Sequence, residues 1–383
     1  MSNVPKLRFK EFSGEWEEKK LDNLAKFYNS KRIPLTESDR EKGIYPYYGA
    51  SGIIDYVKDY IFDGEYILLG EDGANIVLRN SRLVFLAKGK FWLNNHAHIF
   101  QAKESNSFLC EVLERINYTK YNTGTAQPKL NAEVVKNIKV ILPSKPEQEK
   151  IATFLTSVDT KIEQLTKKEA LLQQYKKGVM GKIFNGEIRF KADDGSEFPK
   201  WNDDLLGEYL FHKSIKNKEY KVQLVLSVSN KKGFITQDEQ FDGYEVASKD
   251  LSGYKIVEKN EYAYNPSRVN VGSIARLENF DIGIVSPMYV IFQLKNSLNP
   301  IFFDNLYQTH KFKHLIKIGC SGSVRDSLNF IDMANFSVSI PCIQEQTKIA
   351  NFLSSIDKKI ELTTKELNST KEFKKALLQQ MFV

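Results

Sequence analysis

Cysteine is scarce in this sequence. Only Cys110, Cys320 and Cys342 occur, and no two form a CxxC pair. That excludes a disulfide framework and a cysteine zinc site, and it points to a reducing, cytoplasmic setting. No apolar run reaches the roughly 18 residues that a transmembrane helix needs. The opening MSNVPKLRFKEFSGEWEEKK lacks the apolar core of a secretory signal, so no export is expected. Gly and Pro, at 21 and 11 of 383 residues, are too few for a disordered or collagen-like chain.

Catalytic signatures are missing as well. There is no GxxxxGK[ST] phosphate loop, no GxGxxG fingerprint and no HExxH. His96 and His98 are spaced to share one face of a strand, but no carboxylate or cysteine cluster joins them, so they read as surface or groove residues without a metal. His310 and His314 lie one turn apart among lysines and read as a basic helix face. Asn265-Pro266-Ser267-Arg268 begins like the Asn-Pro-Pro-aromatic loop of amino-methyltransferases, yet it lacks the aromatic that would stack a flipped base. No Ser-His-Asp or Cys-His arrangement has local support.

What is present is duplication. LPSKPEQEKIATFLTSVDTKIE (142–163) aligns without a gap on IPCIQEQTKIANFLSSIDKKIE (340–361), with 13 of 22 positions identical and an offset of 198. YKKGVMGKIF (175–184) lies over FKKALLQQMF (373–382), GTAQPKLN (124–131) over GSVRDSLN (322–329), and LRF (7–9) is echoed by IRF (188–190). Two units nearly exhaust the chain, and their ends agree better than their interiors. A net charge of +7 is compatible with a polyanionic partner.

Each unit has two parts. The first is rich in aromatic and β-branched runs bounded by turn residues, as in YIFDGEYILL (60–69), HIFQA (98–102), VKNIKVILP (135–143), VSPMYVIFQL (285–294) and FSVSIP (336–341), which read as strands. NSFLCEVLERINY (106–118) and IFFDNLYQTHKFKHLIKI (301–318) read as helices. The second part is a heptad helix. Ile151, Leu155, Val158, Ile162, Leu165 and Leu172 form one seam, and Ile349, Leu353, Ile356, Ile360, Leu367 and Leu377 form its counterpart, with polar interruptions that include Glu169, Lys176, Thr363 and Lys374. The expected fold is α+β: globular domains over 1–143 and 186–341, and long helices over 144–185 and 342–383. The helices are expected to pair as an antiparallel coiled coil about a pseudo-two-fold axis.

The globular parts carry a groove-binding inventory. In the first it comprises Lys31, Arg32, Tyr48, Arg79, Asn80, Lys88, Lys90, Asn94, Asn95, Thr123, Thr125, Gln127 and Lys129. In the second it comprises Ser229, Asn230, Lys231, Lys232, Asn265, Arg268, Asn270, Arg276, Ser321, Ser323 and Arg325. Asn, Gln and Arg can reach base edges bidentately, whereas Ser, Thr and Lys suit phosphates. An autonomous DNA-modifying enzyme and a scaffold with no nucleic-acid role are the competing readings.

The repeated L/I-P-x-x-x-EQ-x-KIA-x-FL-x-S-x-D-x-KIE, beginning at Leu142 and Ile340, resembles the specificity subunits of Type I restriction-modification enzymes over the whole chain. The LRFKEFSGEWEEKKL start and the YNTGTAQPKLN loop are similar to that family too. The resemblance implies two target recognition domains, each reading one half of a split, asymmetric DNA site. It implies helices that space those domains and dock two methyltransferase subunits, with two motor-nuclease subunits completing the complex. It also implies that S-adenosylmethionine, ATP and Mg belong to those partners, and that this chain has neither a cofactor nor a catalytic site. The variable interiors align too poorly for base-reading residues to be carried over.

Overall fold

The structure is a computed structural model that describes residues 3–124, 126–230, 232–240, 250–321 and 327–383. Its internal contacts divide the chain into two units, Met1–Thr166 with Lys365–Val383, and Lys167–Thr364.

The first unit is built on a six-stranded sheet. Its strands run in the order Ala25–Phe27, Ala97–Ala102, Phe62–Gly70, Val84–Leu93, Lys42–Gly49 and Gly52–Val57. All pairings are antiparallel except Lys42–Gly49 on Val84–Leu93, which is parallel at Tyr47 opposite Trp92. Ile67, Leu68 and Leu69 are all fully buried, so this strand is covered on both faces and reads as a continuous apolar run. Helix Asn106–Glu114 packs Phe108, Leu109 and Leu113 into the same core, and the Ser105 hydroxyl caps it by accepting from the Phe108 amide at 3.2 Å.

The second unit uses a smaller sheet, ordered Leu210–Lys213, Val290–Leu294, Tyr262–Tyr264 and Ile274–Arg276, with separate two-stranded pairs Leu226–Ser229/Gly233–Thr236 and Lys255–Glu258/Ile282–Val285. Two expectations need correction here. The run 301–318 is not one helix but two, Pro300–Leu306 and His310–Ser321. Thr309 divides them: its hydroxyl donates to the Leu306 carbonyl at 2.7 Å and accepts from the Phe312 amide at 3.2 Å, starting a new helix. The run 285–294 is likewise split, because Ser286 to Tyr289 turn at Pro287, which has no amide to donate to a ladder.

Both units share one frame. A two-stranded antiparallel ribbon, Glu17–Lys20 with Lys139–Leu142 in the first and Asn202–Leu205 with Ser337–Ile340 in the second, leads into a long helix. Those helices are Lys145–Phe184 and Ile343–Gln380. Pro146 sits in the first turn of its helix, where a missing amide costs nothing.

The repeated signature is a clasp. Glu147 and Glu345 are buried, and each is gripped by the arginine of the preceding RF dipeptide. Arg8 donates Nε and Nη2 to Glu147 at 2.8 and 2.7 Å, and Arg189 does the same to Glu345 at 2.7 and 2.8 Å. These hydrogen bonds hold both guanidiniums above their ordinary pKa. The neighbouring Gln148 and Gln346 donate to the carbonyls of Pro143 and Pro341 at 3.0 and 2.8 Å. Phe9 meets Phe154 edge-on at 5.8 Å, and Phe190 meets Phe352 at 5.6 Å. The signature thus encodes how a strap of chain is fastened onto a helix, and it does so twice.

Within each unit the two helices run antiparallel. In the first, Lys374 pairs with Asp159 at 2.6 Å and Lys161 with Glu366 at 2.7 Å. In the second, Lys176 pairs with Asp357 at 2.7 Å. The polar seam positions Lys176 and Lys374 therefore each have an aspartate opposite. Ile151, Leu155, Val158, Leu165, Leu367 and Leu377 are buried in the first unit and Ile349, Leu353 and Ile356 in the second, while Ile162, Leu172 and Ile360 are half-buried.

Candidate nucleic-acid interface

The candidate residues of the first unit separate into two groups. Arg32, Arg79, Tyr48 and Asn94 are spent on the fold. Arg32 donates to Glu71 at 2.6 Å and to the carbonyls of Ala97 at 2.8 Å and Asn29 at 2.9 Å. Burial alone would push the Glu71 carboxyl up, but Arg32, which donates a hydrogen bond to it, and Lys129 hold it below its usual range. Arg79 takes a left-handed backbone at φ 51° to end a short helix, and it donates to the Glu114 carboxylate and carbonyl at 2.8 and 2.5 Å. Tyr48 stacks on Phe85 at 5.9 Å, and Asn94 Oδ1 accepts from the His96 amide at 2.9 Å. Lys88 pairs with Glu65 at 2.8 Å, and Lys90 and Lys31 lie over the rings of Tyr60 and Tyr28.

His96 and His98 do not share a face, contrary to the spacing argument. The strand starts at Ala97, so His96 lies in the preceding turn, exposed and bonded to Asp72 at 2.8 Å. His98 is fully buried between Asn29 Nδ2 at 2.9 Å and the Leu130 carbonyl at 2.7 Å. Burial pushes its pKa down, so the ring is neutral, donating Nε2–H to Leu130 and accepting at Nδ1 from Asn29. His98 is therefore a structural hub, not a surface or groove residue. Glu71 continues it: its carbonyl accepts from the Leu130 amide at 2.7 Å, and its carboxylate meets Lys129 at 3.6 Å. Together they fasten the loop 122–130 to the sheet, and Asn122 Oδ1 closes that loop on the amides of Gly124 and Lys129 at 3.0 and 2.8 Å. Thr123 binds Lys129 through its hydroxyl and amide. The exposed Asn80, Asn95 and Gln127 make no side-chain hydrogen bond among the described residues. Thr125 lies outside those residues.

In the second unit Arg276 is also committed. Its Nε and Nη2 donate to Asp304 at 3.0 and 2.8 Å, and the Tyr262 hydroxyl donates to the same carboxylate at 2.8 Å. Asn265 shapes its own turn by accepting from the Ser267 amide at 3.1 Å, and Ser229 accepts weakly from the Lys232 amide at 3.4 Å. Asn230, Lys232, Arg268 and Asn270 are exposed. Asn230 and Asn270 line one cavity of about 510 Å³, together with Gln308, Lys313 and the turn at Gly272. Gly272 has φ 98°, which lets the chain reverse between Asn270 and the strand at Ile274. Lys231, Ser323 and Arg325 lie outside the described residues, as does the side chain of Ser321. Gln308 and Lys313 escaped sequence reading because a single helix over 301–318 gives neither residue a special place. The break at Thr309 is what brings both to the cavity wall.

A wall of carboxamides and one lysine is suited to base edges and a phosphate. Among the described residues no cluster of His, Cys, Asp or Glu is arranged to hold a metal ion, and no helix is long and apolar enough to cross a membrane.

Comparison with known proteins gives a consistent result. Residues 13–174 and 210–372 match the profile of the Type I restriction modification DNA specificity domain. A Haemophilus influenzae protein, provisionally assigned as a type I restriction enzyme specificity subunit, is 37% identical over 146 residues, spanning 38% of this chain and 37% of that protein. The MjaVIII specificity subunit of Methanocaldococcus jannaschii is 23% identical over 411 residues, covering 97% of this chain and 94% of its own. The crystal structure of a type I restriction-modification S subunit from M. genitalium has the same fold, with a TM-score of 0.64 at 17% identity over 99% of both chains.

Proposed function

Because the chain belongs to the Type I restriction-modification DNA specificity family, we propose that it is the subunit that chooses the DNA sequence on which a methyltransferase and restriction complex acts. Each globular part reads one half of a bipartite, asymmetric site. The long helices pair as an antiparallel coiled coil, set the spacing of the halves and dock two methyltransferase subunits, with two motor-nuclease subunits joining for restriction. S-adenosylmethionine, ATP and Mg act on those partners, and this chain contributes no catalytic group.

One observation carries this reading. Two units fasten to their helices by the same Arg–Glu clasp, yet present differently built sheets and loops. Identical docking and different recognition is what two identical enzymes at two unlike half-sites require.

The test is to produce the chain with its methyltransferase subunits and map modified adenines across a genome. A two-part motif with a fixed gap is the expected result. A four-residue insertion at Lys167-Lys168 lengthens the helix by about 6 Å and roughly keeps its heptad face. At about 3.4 Å per base pair, the gap should grow by one to two base pairs with both halves unchanged. An unaltered gap at full activity would remove the spacer role. Methyl transfer by the purified chain alone would overturn the assignment in favour of an autonomous enzyme.

A further inference from the structure

The tail of each long helix carries a pair of adjacent lysines at equivalent places in the repeat, Lys176-Lys177 and Lys374-Lys375. In each pair the first lysine is neutralised by an equivalent aspartate, Asp357 at 2.7 Å or Asp159 at 2.6 Å. The second, Lys177 or Lys375, is exposed and has no ion pair among the described residues.

Each pair lines a cavity. In the second unit the cavity measures about 400 Å³, and Lys177 is joined there by Lys311 and Lys313 from the start of helix His310–Ser321. In the first unit it measures about 380 Å³, and Lys375 is joined by Lys371 and Arg115. The apolar walls correspond as well, Met180 and Ile360 in one and Leu378 and Ile162 in the other. Two clefts of one construction, in units whose sheets differ, are a feature of the shared frame.

We propose that both clefts bind backbone phosphates of duplex DNA, with Lys177 and Lys375 as sequence-independent anchors. The inference rests on the reading of the chain as a DNA-recognition subunit and adds contacts outside the base-reading surfaces. Three observations select this occupant. The cationic groups in each cleft outnumber the carboxylates that meet them, Asp357 in one and Asp159 with Glu111 beside Arg115 in the other, so the ligand is anionic. Gln308 and Lys313 line both this cleft and the carboxamide cavity, so one ligand can pass from one to the other. A phosphate chain is also the part of DNA that is the same at two unlike half-sites, which matches clefts that are the same in two unlike units.

The experiment uses the full-length chain and a random-sequence DNA duplex. Affinity is measured against salt for the unchanged chain, for K177Q, for K375Q and for both together. Each lost phosphate contact should flatten the slope of log K against log salt by about 0.9. Between 50 and 200 mM salt, each single variant should therefore lose about 3.5-fold less affinity than the unchanged chain, and the double variant about 12-fold less. K177R and K375R should restore the slope. Circular dichroism should be unchanged, because both lysines are exposed. Co-purification with the methyltransferase subunits should survive in every variant. An unaltered slope in K177Q and K375Q sinks this inference and leaves the recognition role standing. Loss of co-purification with an unaltered slope would make the clefts a protein-docking surface instead. If the unchanged chain shows no salt-dependent binding, the recognition reading falls and takes this one with it.

Discussion

The two units are alike where they grip a helix and unlike where they face outward. In the clasp, Arg8–Glu147 and Arg189–Glu345 agree to 0.1 Å in each bond. In the sheets there is little to superimpose: six strands with one parallel pairing on one side, four strands and two separate ribbons on the other. The lesson is that the repeated residues encode attachment, and that recognition is free to vary because attachment does not depend on it. Even the clasps differ at one atom. Trp201 Nε1 donates to Glu345 at 3.0 Å, whereas the equivalent Trp16 Nε1 is buried with no hydrogen-bond partner among the described residues.

The largest effect should come from separating attachment and recognition outright. Exchanging residues 1–142 for the matching segment of a relative should replace one half-site entirely and leave the other intact, as read by methylation mapping. If both halves change together, the units are not independent readers.

Next come the clasps. Arg8→Ala and Arg189→Ala each strand a buried carboxylate and should cost about 3 kcal/mol, at the low end for such pairs because each arginine keeps some exposure. The loss should be greater at Arg8, because Glu147 has no tryptophan donor in reserve. Denaturant unfolding of each variant measures both, and equal losses would erase the asymmetry.

Recognition inside the second unit should respond to Asn270→Ala. Losing a bidentate contact to adenine should cost about 1–3 kcal/mol and relax one base position in one half-site. A uniform loss on all sequences would instead mark Asn270 as a backbone contact.

The tryptophans allow a finer comparison. Trp16→Phe and Trp201→Phe remove the same volume, and only Trp201 loses a hydrogen bond to a charge, worth about 1.5 kcal/mol or more. Unfolding free energies should differ by that amount, with Trp201→Phe the less stable.

The smallest effect is one of pH. His98 has its pKa lowered by burial, so the unfolded chain binds a proton more readily than the folded one. Its contribution is complete above the unfolded value of about 6.5 and is lost as pH falls toward the lower folded value. The midpoint for the first unit should drop between pH 7.5 and 5.5, and His98→Gln should flatten that dependence. A dependence unchanged in His98→Gln would place its origin elsewhere.

Much of the frame was legible because its signals are local. The helix seams repeat every seven residues, and the 22-residue signature is its own alignment. The partners of Arg32, Arg79 and Arg276 were not legible. Each finds its carboxylate at Glu71, Glu114 or Asp304, 28 to 39 residues along the chain, where only the fold brings them together. Gln308 was missed for the reason that Thr309 was: a helix break made by one hydroxyl leaves apolar spacing undisturbed on both sides. The separation of His96 from His98 turned on a strand beginning one residue later than the HxH spacing suggests, which leaves His96 in the preceding turn.

The core of the first unit contains Leu377, Met381 and Phe382, and the Leu7 amide bonds the Gln380 carbonyl at 2.8 Å. The second unit, Lys167–Thr364, is one continuous segment. During synthesis the order of completion is therefore inverted. The unit made first waits for the segment Lys365–Val383, while the one made second can close ahead of it. At about 5–20 residues per second, the stretch from Thr166 to the arrival of Phe382 takes roughly 10 to 40 seconds. For that interval the six-stranded sheet of the first unit is already synthesised, but the apolar seam of its helix along Ile151, Leu155 and Val158 lacks the cover of Leu377, Met381 and Phe382.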